Sequence, residues 1–144
     1  MTTPISGSQD YLNEKYLGML ASSSGYTVER YNNSGTRLSS VNANASGDWQ
    51  YVTAVFTADG TKVYVNGRLS ASDTAAVDIK SLFTADASTW IGHGNWYDDK
   101  TGKFEGFSGM IDDFKVYGRA LNETEINQLA AKAIQREQEE TVKE

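Results

Sequence analysis

The stretch from Gly47 to Ser72 constrains the fold of this chain more than any other part of the sequence. Two turn signals, Asp59-Gly60 and Asn66-Gly67, separate three runs rich in β-branched and aromatic residues. Two-residue hairpin turns prefer these dipeptides, because Gly adopts positive φ at no steric cost. The pattern predicts a meander of three antiparallel strands, over residues 49–57, 62–66 and 68–72.

Further short strands are predicted on both sides of the meander. Their alternating sequences lie at residues 16–21, 26–31, 36–41, 88–92 and 107–117. Such regular spacing of strands and turns is typical of a β-sandwich or barrel. Between the strands, residues 73–86 are predicted to include one helical turn, and residues 93–106 are predicted to form a loop.

The period of the apolar residues changes from 2 to 3.6 near the C-terminus. Asn122-Glu123-Thr124-Glu125 has the pattern of a capping box and predicts a helix from about residue 122. One helical face then carries Ile126, Leu129, Ala130, Ala133 and Ile134. Residues 13–134 are therefore interpreted as the domain, residues 135–144 as a polar helix end or linker, and residues 1–12 as a disordered start or expression remnant.

Composition narrows the class of protein. The chain has 144 residues, which suits one domain, and its net charge of -6 argues against nucleic acid as a partner. It has no cysteine, which excludes disulfides, thiol catalysis and cysteine-based metal sites. Because no apolar run approaches the ~18 residues of a membrane span, no membrane insertion is expected.

Three segments carry a resemblance to a known family. They are GDWQYVTAVFTADGTKVYVNGRL, STWIGHG and FSGMIDDFKVYGRALNETEINQL. Together they resemble the laminin-G-like, concanavalin A-like lectin/glucanase superfamily, and most of all the jellyroll modules of bacterial extracellular proteins. The resemblance implies an all-β, antiparallel concanavalin A-like jellyroll sandwich with a C-terminal α-helix. It also implies a secreted or cell-surface, extracellular location.

The resemblance does not extend to the first part of the chain. Its motifs span roughly Gly47 to Leu129, and nothing before Tyr16 resembles the apolar first strands of the family. In the family the first strand lies beside the last, so the predicted strand 107–117 would have an open edge, which invites association. The chain is thus expected to be the C-terminal part of a module. A neighbouring domain, a second chain or self-association would complete its sheet.

Asp112 is a candidate metal ligand. In the predicted strand 107–117 it shares a face with Met110, Phe114 and Val116, so its carboxylate is expected to be buried. A buried carboxylate needs a partner, and the resemblance implies a structural calcium ion near this position. The alternative is that Asp112 accepts backbone hydrogen bonds and fixes the last turn.

The predicted loop 93–106 is the candidate recognition surface. It combines two aromatic residues, Trp96 and Tyr97, with the polar residues His93, Asn95 and Asp98. Sugar rings stack their C–H faces on aromatic side chains and hydrogen-bond to planar polar groups, so this mixture favours a glycan. The alternative is that Trp96 and Tyr97 cover the open end of the sandwich.

One sheet face is a second candidate surface. Jellyroll binding modules can hold an extended polysaccharide on a sheet face with exposed tyrosines. The residues that would line such a face here are Tyr51, Thr53, Val55, Thr57, Lys62, Tyr64 and Asn66. The alternative is that they pair across strands or lie beneath a neighbouring domain.

The sequence does not favour catalysis. The glucanases of the superfamily carry E-x-D-x-x-E on one strand, and this spacing does not occur here. We therefore interpret the chain as a non-catalytic carbohydrate-binding module of a larger secreted bacterial protein, with loop 93–106 as the contact region and Asp112 as a structural anchor. The alternative is a protein-contact, adhesion or spacer module without a glycan ligand.

Overall fold

A computed structural model describes residues 16–22, 25–31, 37–75, 91–98 and 103–141. Within these residues the chain forms eight strands and one helix. The elements are β1 (Tyr16–Ser22), β2 (Gly25–Tyr31), β3 (Arg37–Asn44), β4 (Val52–Thr57), β5 (Gly60–Val65), β6 (Arg68–Ser72), β7 (His93–Asp98), β8 (Lys103–Gly106) and α1 (Glu123–Thr141).

The described strands form three antiparallel sheets, each of which follows the order of the chain. The first sheet has the order β1-β2-β3, the second β4-β5-β6, and the third consists of β7 and β8. In the first sheet Met19, Val28 and Val41 lie side by side across the three strands. In the second sheet Val52 pairs with Val65 and Ala54 with Val63. The predicted meander is therefore confirmed as the second sheet.

The turn between β5 and β6 shows why the Asn-Gly signal was reliable. Asn66 has a φ of 51° and Gly67 a φ of 82°, and positive φ at both central residues defines the turn that suits a hairpin. The side chain of Asn66 also accepts a hydrogen bond of 2.9 Å from the backbone N–H of Tyr51. The backbone N–H of Asn66 donates in turn to the Tyr51 carbonyl at 2.8 Å. The turn is thus fixed to the start of β4.

A first apolar core lies between the first and second sheets. Its buried members are Val28, Val41, Ala43 and Val63. The partly buried residues packed against them are Val52, Ala54, Phe56, Val65 and Ala71. The period-2 pattern of β4 and β5 predicted this face correctly, because successive side chains of a strand point to opposite faces.

A second core lies on the opposite face of the second sheet, against α1. Val55 and Tyr64 project from that face and pack with Leu121 and Ile126, and Leu129 packs at its edge. Tyr64 is only 3% exposed. The second sheet is therefore the middle of three layers, and the prediction that Tyr64 belongs to an open polysaccharide-binding face is wrong.

The predicted capping box is confirmed at the start of α1. The Asn122 side chain accepts a hydrogen bond of 3.0 Å from the Glu125 N–H, and Glu125 accepts one of 2.9 Å from the Asn122 N–H. Both are donors that the first turn of a helix would otherwise leave unpaired. The helix continues to Thr141, beyond the apolar stripe that ends at Ile134.

Two predicted elements differ from the structure. Residues 93–106 were expected to form a loop, but β7 and β8 pair within them as a hairpin. Residues 107–117 were expected to form a strand, but the structure shows no strand there. A strand requires a paired neighbour, and Asp113 has a φ of 56°, which interrupts extended backbone. The predicted strand at 88–90 and helical turn within 76–86 lie outside the described residues.

Candidate functional site

The β7–β8 hairpin brings together all five residues predicted to bind a glycan. His93, Asn95, Trp96, Tyr97 and Asp98 lie within β7. Aromatic residues favour strands, which explains why this stretch pairs rather than remaining a loop. The loop conformation predicted for these residues is therefore wrong, and glycan binding by them stays a prediction.

The pairing within the hairpin is irregular at its centre. His93 pairs with Gly106 and Tyr97 with Phe104, and a register shift lies between these two pairs. Such irregularities are bulges, which bend a strand and redirect its side chains. The ladder is extended at its base by a hydrogen bond of 2.6 Å from the Phe107 N–H to the Gly92 carbonyl. The hairpin is therefore a bent two-stranded ribbon.

Asp112 lies outside the hairpin, and its predicted burial is wrong. Its side chain is 68% exposed. One carboxylate oxygen accepts a hydrogen bond of 2.6 Å from the Asp113 N–H, and the other lies 3.4 Å from Arg136 Nη2 on α1. The prediction failed because it assumed that Met110 and Phe114 pack inward, whereas both are exposed.

Asp113 is the centre of a small ionic cluster. It pairs with Lys115, and its second oxygen lies 3.3 Å from Arg136 Nη2. The hydrogen bond from Lys115 holds the pKa of Asp113 below its usual value. The cluster therefore fixes residues 112–115 beside the second half of α1. Sequence reasoning missed Arg136, because its separation from Asp112 along the chain follows no helix or strand period.

Within the described residues, no cluster of carboxylates of the kind that holds calcium includes Asp112. Calcium takes six to eight oxygen ligands, several of them carboxylates. Among the described residues no group of three or more acidic, histidine or cysteine side chains could hold a metal ion. The guanidinium of Arg136 also lies where a cation would approach the carboxylate. Calcium binding by Asp112 stays a prediction.

Residues 107–117 expose an unusual number of large apolar side chains. Met110 is 74% exposed, Val116 66% and Phe114 58%. Phe107, Ile111 and Tyr117 are also exposed. Monomeric proteins rarely leave such contiguous apolar surface open to water, and it often marks a contact site. We refer to residues 107–117 as the apolar segment.

The sequence contained part of the signal for this surface. An alternating apolar run predicts a strand, and a strand requires a paired neighbour, which the described sheets do not supply for residues 107–117. The Asp112-Asp113 dipeptide was the second signal, because Asp tolerates positive φ better than most residues. Together they account for an apolar segment that is exposed instead of paired.

A comparison with protein families supplies the class. The laminin G-type family model described as the concanavalin A-like lectin/glucanases superfamily matches residues 3–127. The chain therefore belongs to the concanavalin A-like lectin/glucanases superfamily. The match extends further towards the N-terminus than the motifs between Gly47 and Leu129 indicated.

A similar fold occurs in a solved structure of an S-layer domain-containing protein (residues 221–444) from Clostridium thermocellum. The two chains are 20% identical with a TM-score of 0.50, and the alignment covers 79% of this chain. This chain spans 63% of the length of that chain. No match was found among curated proteins.

The described helix does not have the properties of a membrane span. No helix in the described part of the chain is both long and apolar enough to cross a bilayer. α1 has 19 residues but carries many charged ones, among them Glu123, Glu125 and Arg136.

Proposed function

We propose that the chain is a non-catalytic carbohydrate-binding module of a larger secreted, surface-associated bacterial protein. The observation that carries this proposal is the β7–β8 hairpin, which gathers His93, Asn95, Trp96, Tyr97 and Asp98 on one strand. The hairpin forms a sheet separate from the two sheets that share the apolar core.

The residue types of β7 suit a sugar. Aromatic rings such as those of Trp96 and Tyr97 stack on the C–H faces of pyranoses, and planar amides and carboxylates such as Asn95 and Asp98 bind pairs of hydroxyls. The class of the chain supports this choice, since the superfamily includes lectins.

The proposed surface location comes from the structural neighbour. The structural neighbour is described as an S-layer domain-containing protein, and an S-layer lies on the outside of a cell. We propose the same location for the parent protein of this chain.

Polysaccharide affinity gels would test glycan binding. The chain should be retarded in gels that contain its ligand, and Trp96→Ala and Tyr97→Ala should each lose most of that retardation. Trp49→Ala is the matched control, because Trp49 is an aromatic residue that is 44% exposed, precedes β4 and lies outside the hairpin. Absence of retardation on a broad set of glycans, or equal loss in the Trp49 variant, would contradict the proposal.

A second candidate function is contact with another polypeptide through the apolar segment. The exposure of Met110, Phe114 and Val116 favours it. Hydrophobic interaction chromatography would test it, because retention reports accessible apolar surface whatever the partner. The Met110→Ser/Phe114→Ser variant should elute earlier than the unmodified chain, and by more than Met19→Ser/Leu69→Ser, which changes two apolar residues that are each 49% exposed elsewhere. Equal shifts in the two variants would argue against this function.

A further inference from the structure

Phe107 lies at the point where the β7–β8 hairpin joins the apolar segment. Its backbone N–H donates a hydrogen bond of 2.6 Å to the carbonyl of Gly92, the residue that precedes β7. Phe107 therefore belongs to the base of the hairpin ladder. Its side chain is 40% exposed. An accessible aromatic residue thus adjoins the strand on which the proposed glycan-binding residues lie.

The backbone around Phe107 holds its ring and leaves open space nearby. A Cβ atom at Gly109 would lie 2.7 Å from Cζ and 2.9 Å from Cε1 of Phe107, so a larger residue there would displace the ring. At Gly92, no described heavy atom lies within 4 Å of the position of a Cβ atom. The ring is fixed against Gly109, and a side chain that is already fixed loses little conformational freedom when a ligand binds.

Phe107 and Tyr97 lie near opposite ends of the hairpin. Tyr97 pairs with Phe104, and His93 pairs with Gly106, next to Phe107. Antiparallel strands rise about 3.4 Å per residue, so residue 107 lies roughly 10 Å along the ribbon from the pair that Tyr97 forms with Phe104. A single pyranose ring is too short to contact both ends at once. A ligand that contacts both must be a chain of sugars.

We propose that Phe107 is a third aromatic contact of the glycan site, with Trp96 and Tyr97, and that this site takes an oligosaccharide instead of a single sugar. The chain of sugars lies along the ribbon, from Phe107 at the base towards the tip. Aromatic rings stack on the C–H faces of pyranoses, and contacts spaced along the ribbon favour a ligand long enough to reach all of them. This inference rests on the proposed glycan binding by β7 and names the class of its ligand.

Competition in the polysaccharide affinity gels tests the length of the ligand. The competitors are the single sugars and the hexasaccharide released by partial hydrolysis of the polysaccharide that retards the unmodified chain most strongly. Counted per sugar unit, the hexasaccharide should release the chain at a concentration at least about tenfold lower than the single sugars, because its second contact is made within one complex. Equal concentrations per sugar unit would overturn the proposal.

Variants of Phe107 test the aromatic contact itself. Phe107→Leu keeps an apolar side chain but removes the ring, and it should raise the dissociation constant for the hexasaccharide about three- to tenfold. Phe107→Tyr keeps the ring and should bind as the unmodified chain does. Phe114→Leu is the matched control, because Phe114 is 58% exposed but lies further along the apolar segment. An unchanged constant in Phe107→Leu, or an equal rise in Phe114→Leu, would overturn the proposal.

Gly109→Ala tests whether the position of the ring matters. The added methyl group must displace the Phe107 ring, and the backbone accepts alanine because Gly109 does not have a positive φ. Hexasaccharide binding should weaken as in Phe107→Leu, while the melting temperature stays close to that of the unmodified chain. Gly118→Ala is the matched control, since nothing lies within 4 Å of its Cβ position. If Gly109→Ala bound the hexasaccharide as well as Gly118→Ala does, the role of the fixed ring would be overturned.

The outcomes separate this inference from the proposed function. If Trp96→Ala loses retardation but Phe107→Leu does not, glycan binding by β7 stands and the third contact is overturned. If no polysaccharide retards the unmodified chain, both are overturned.

Discussion

At the scale of single residues, Glu125 makes two stabilising interactions at the start of α1. It accepts a hydrogen bond from the Asn122 N–H, and both its oxygens pair with the guanidinium of Arg119, at 2.6 and 2.8 Å. The hydrogen bonds from Arg119 are the main cause that lowers the pKa of Glu125 to about 2. Since the carboxylate is stabilised in the folded chain, its charge contributes to folding.

Replacement of Glu125 by Gln should make stability less dependent on pH. The folded-state pKa lies below the usual value of 4.5, so the contribution is present above that pH and disappears as pH falls to about 2. Gln can keep the cap hydrogen bond, so the variant isolates the charge. Thermal melts should show that Glu125→Gln is less stable than the unmodified chain at neutral pH and equal to it near pH 2. Glu140→Gln, which changes an exposed residue, is the control for the loss of one charge. If Glu125→Gln were still less stable than the unmodified chain near pH 2, the prediction would be contradicted.

A methyl group added at Gly67 should be poorly tolerated, because this glycine has a positive φ and lies against α1. Its φ is 82°, and an added Cβ would lie 2.8 Å from Asn127 Oδ1 and 3.2 Å from Ala130 Cβ on α1. Gly67→Ala should lower the free energy of unfolding by at least about 1 kcal/mol, from backbone strain and from the displaced helix. Gly47→Ala is the control, because nothing lies within 4 Å of its Cβ position. In urea denaturation, Gly47→Ala should change the free energy of unfolding by no more than about 0.5 kcal/mol.

At the scale of elements, local signals were the reliable ones. The Asn66-Gly67 turn, the alternation of β4 and β5, and the cap of α1 each depend on a few neighbouring residues, and all three were predicted. The strand predicted at residues 107–117 does not form, because an extended run becomes a strand only when another strand pairs with it. The predicted burial of Asp112 was wrong for the same reason. Exposure depends on the partner of an element as much as on its pattern.

The same difference between local signals and distant partners applies to the candidate site. The grouping of His93, Asn95, Trp96, Tyr97 and Asp98 was predictable, since they are close in sequence and rich in ligand-binding side chains. Their strand conformation was not, because the partner strand β8 begins only at Lys103, beyond a polar stretch that indicates a loop.

Within α1 the two halves should contribute very differently to stability. Ile126 is 0% exposed in the second core, whereas Ile134, two turns further on, is 36% exposed. Ile126→Ala should lower the free energy of unfolding by about 2–5 kcal/mol, because it removes buried methylene groups and leaves a cavity. Ile134→Ala is the matched control and should cost less than half as much. Similar losses in urea denaturation would indicate that the second half of α1 is packed more tightly than its exposure indicates.

At the scale of the whole molecule, the second sheet belongs to two cores at once. Val63 faces the first sheet and Tyr64, the next residue, faces α1. A sheet covered on both faces cannot offer a broad face to a polysaccharide. This arrangement leaves the hairpin and the apolar segment as the candidate surfaces among the described residues, and it makes the folding of the helix depend on that of the sheets.

The shared sheet should make unfolding a single cooperative event. Val63 is 0% exposed between the two sheets and does not belong to the core under α1. Val63→Ala should lower the free energy of unfolding by about 2 kcal/mol and the melting temperature by roughly 5–10 °C. Because α1 packs on the same sheet, the helix signal in circular dichroism should shift by as much as tryptophan fluorescence. Leu69→Ala, which truncates an exposed side chain of β6, is the control and should change neither signal appreciably. A helix signal that stays in place while fluorescence shifts would mean that α1 and the sandwich unfold separately, and the three layers would then not form one cooperative unit.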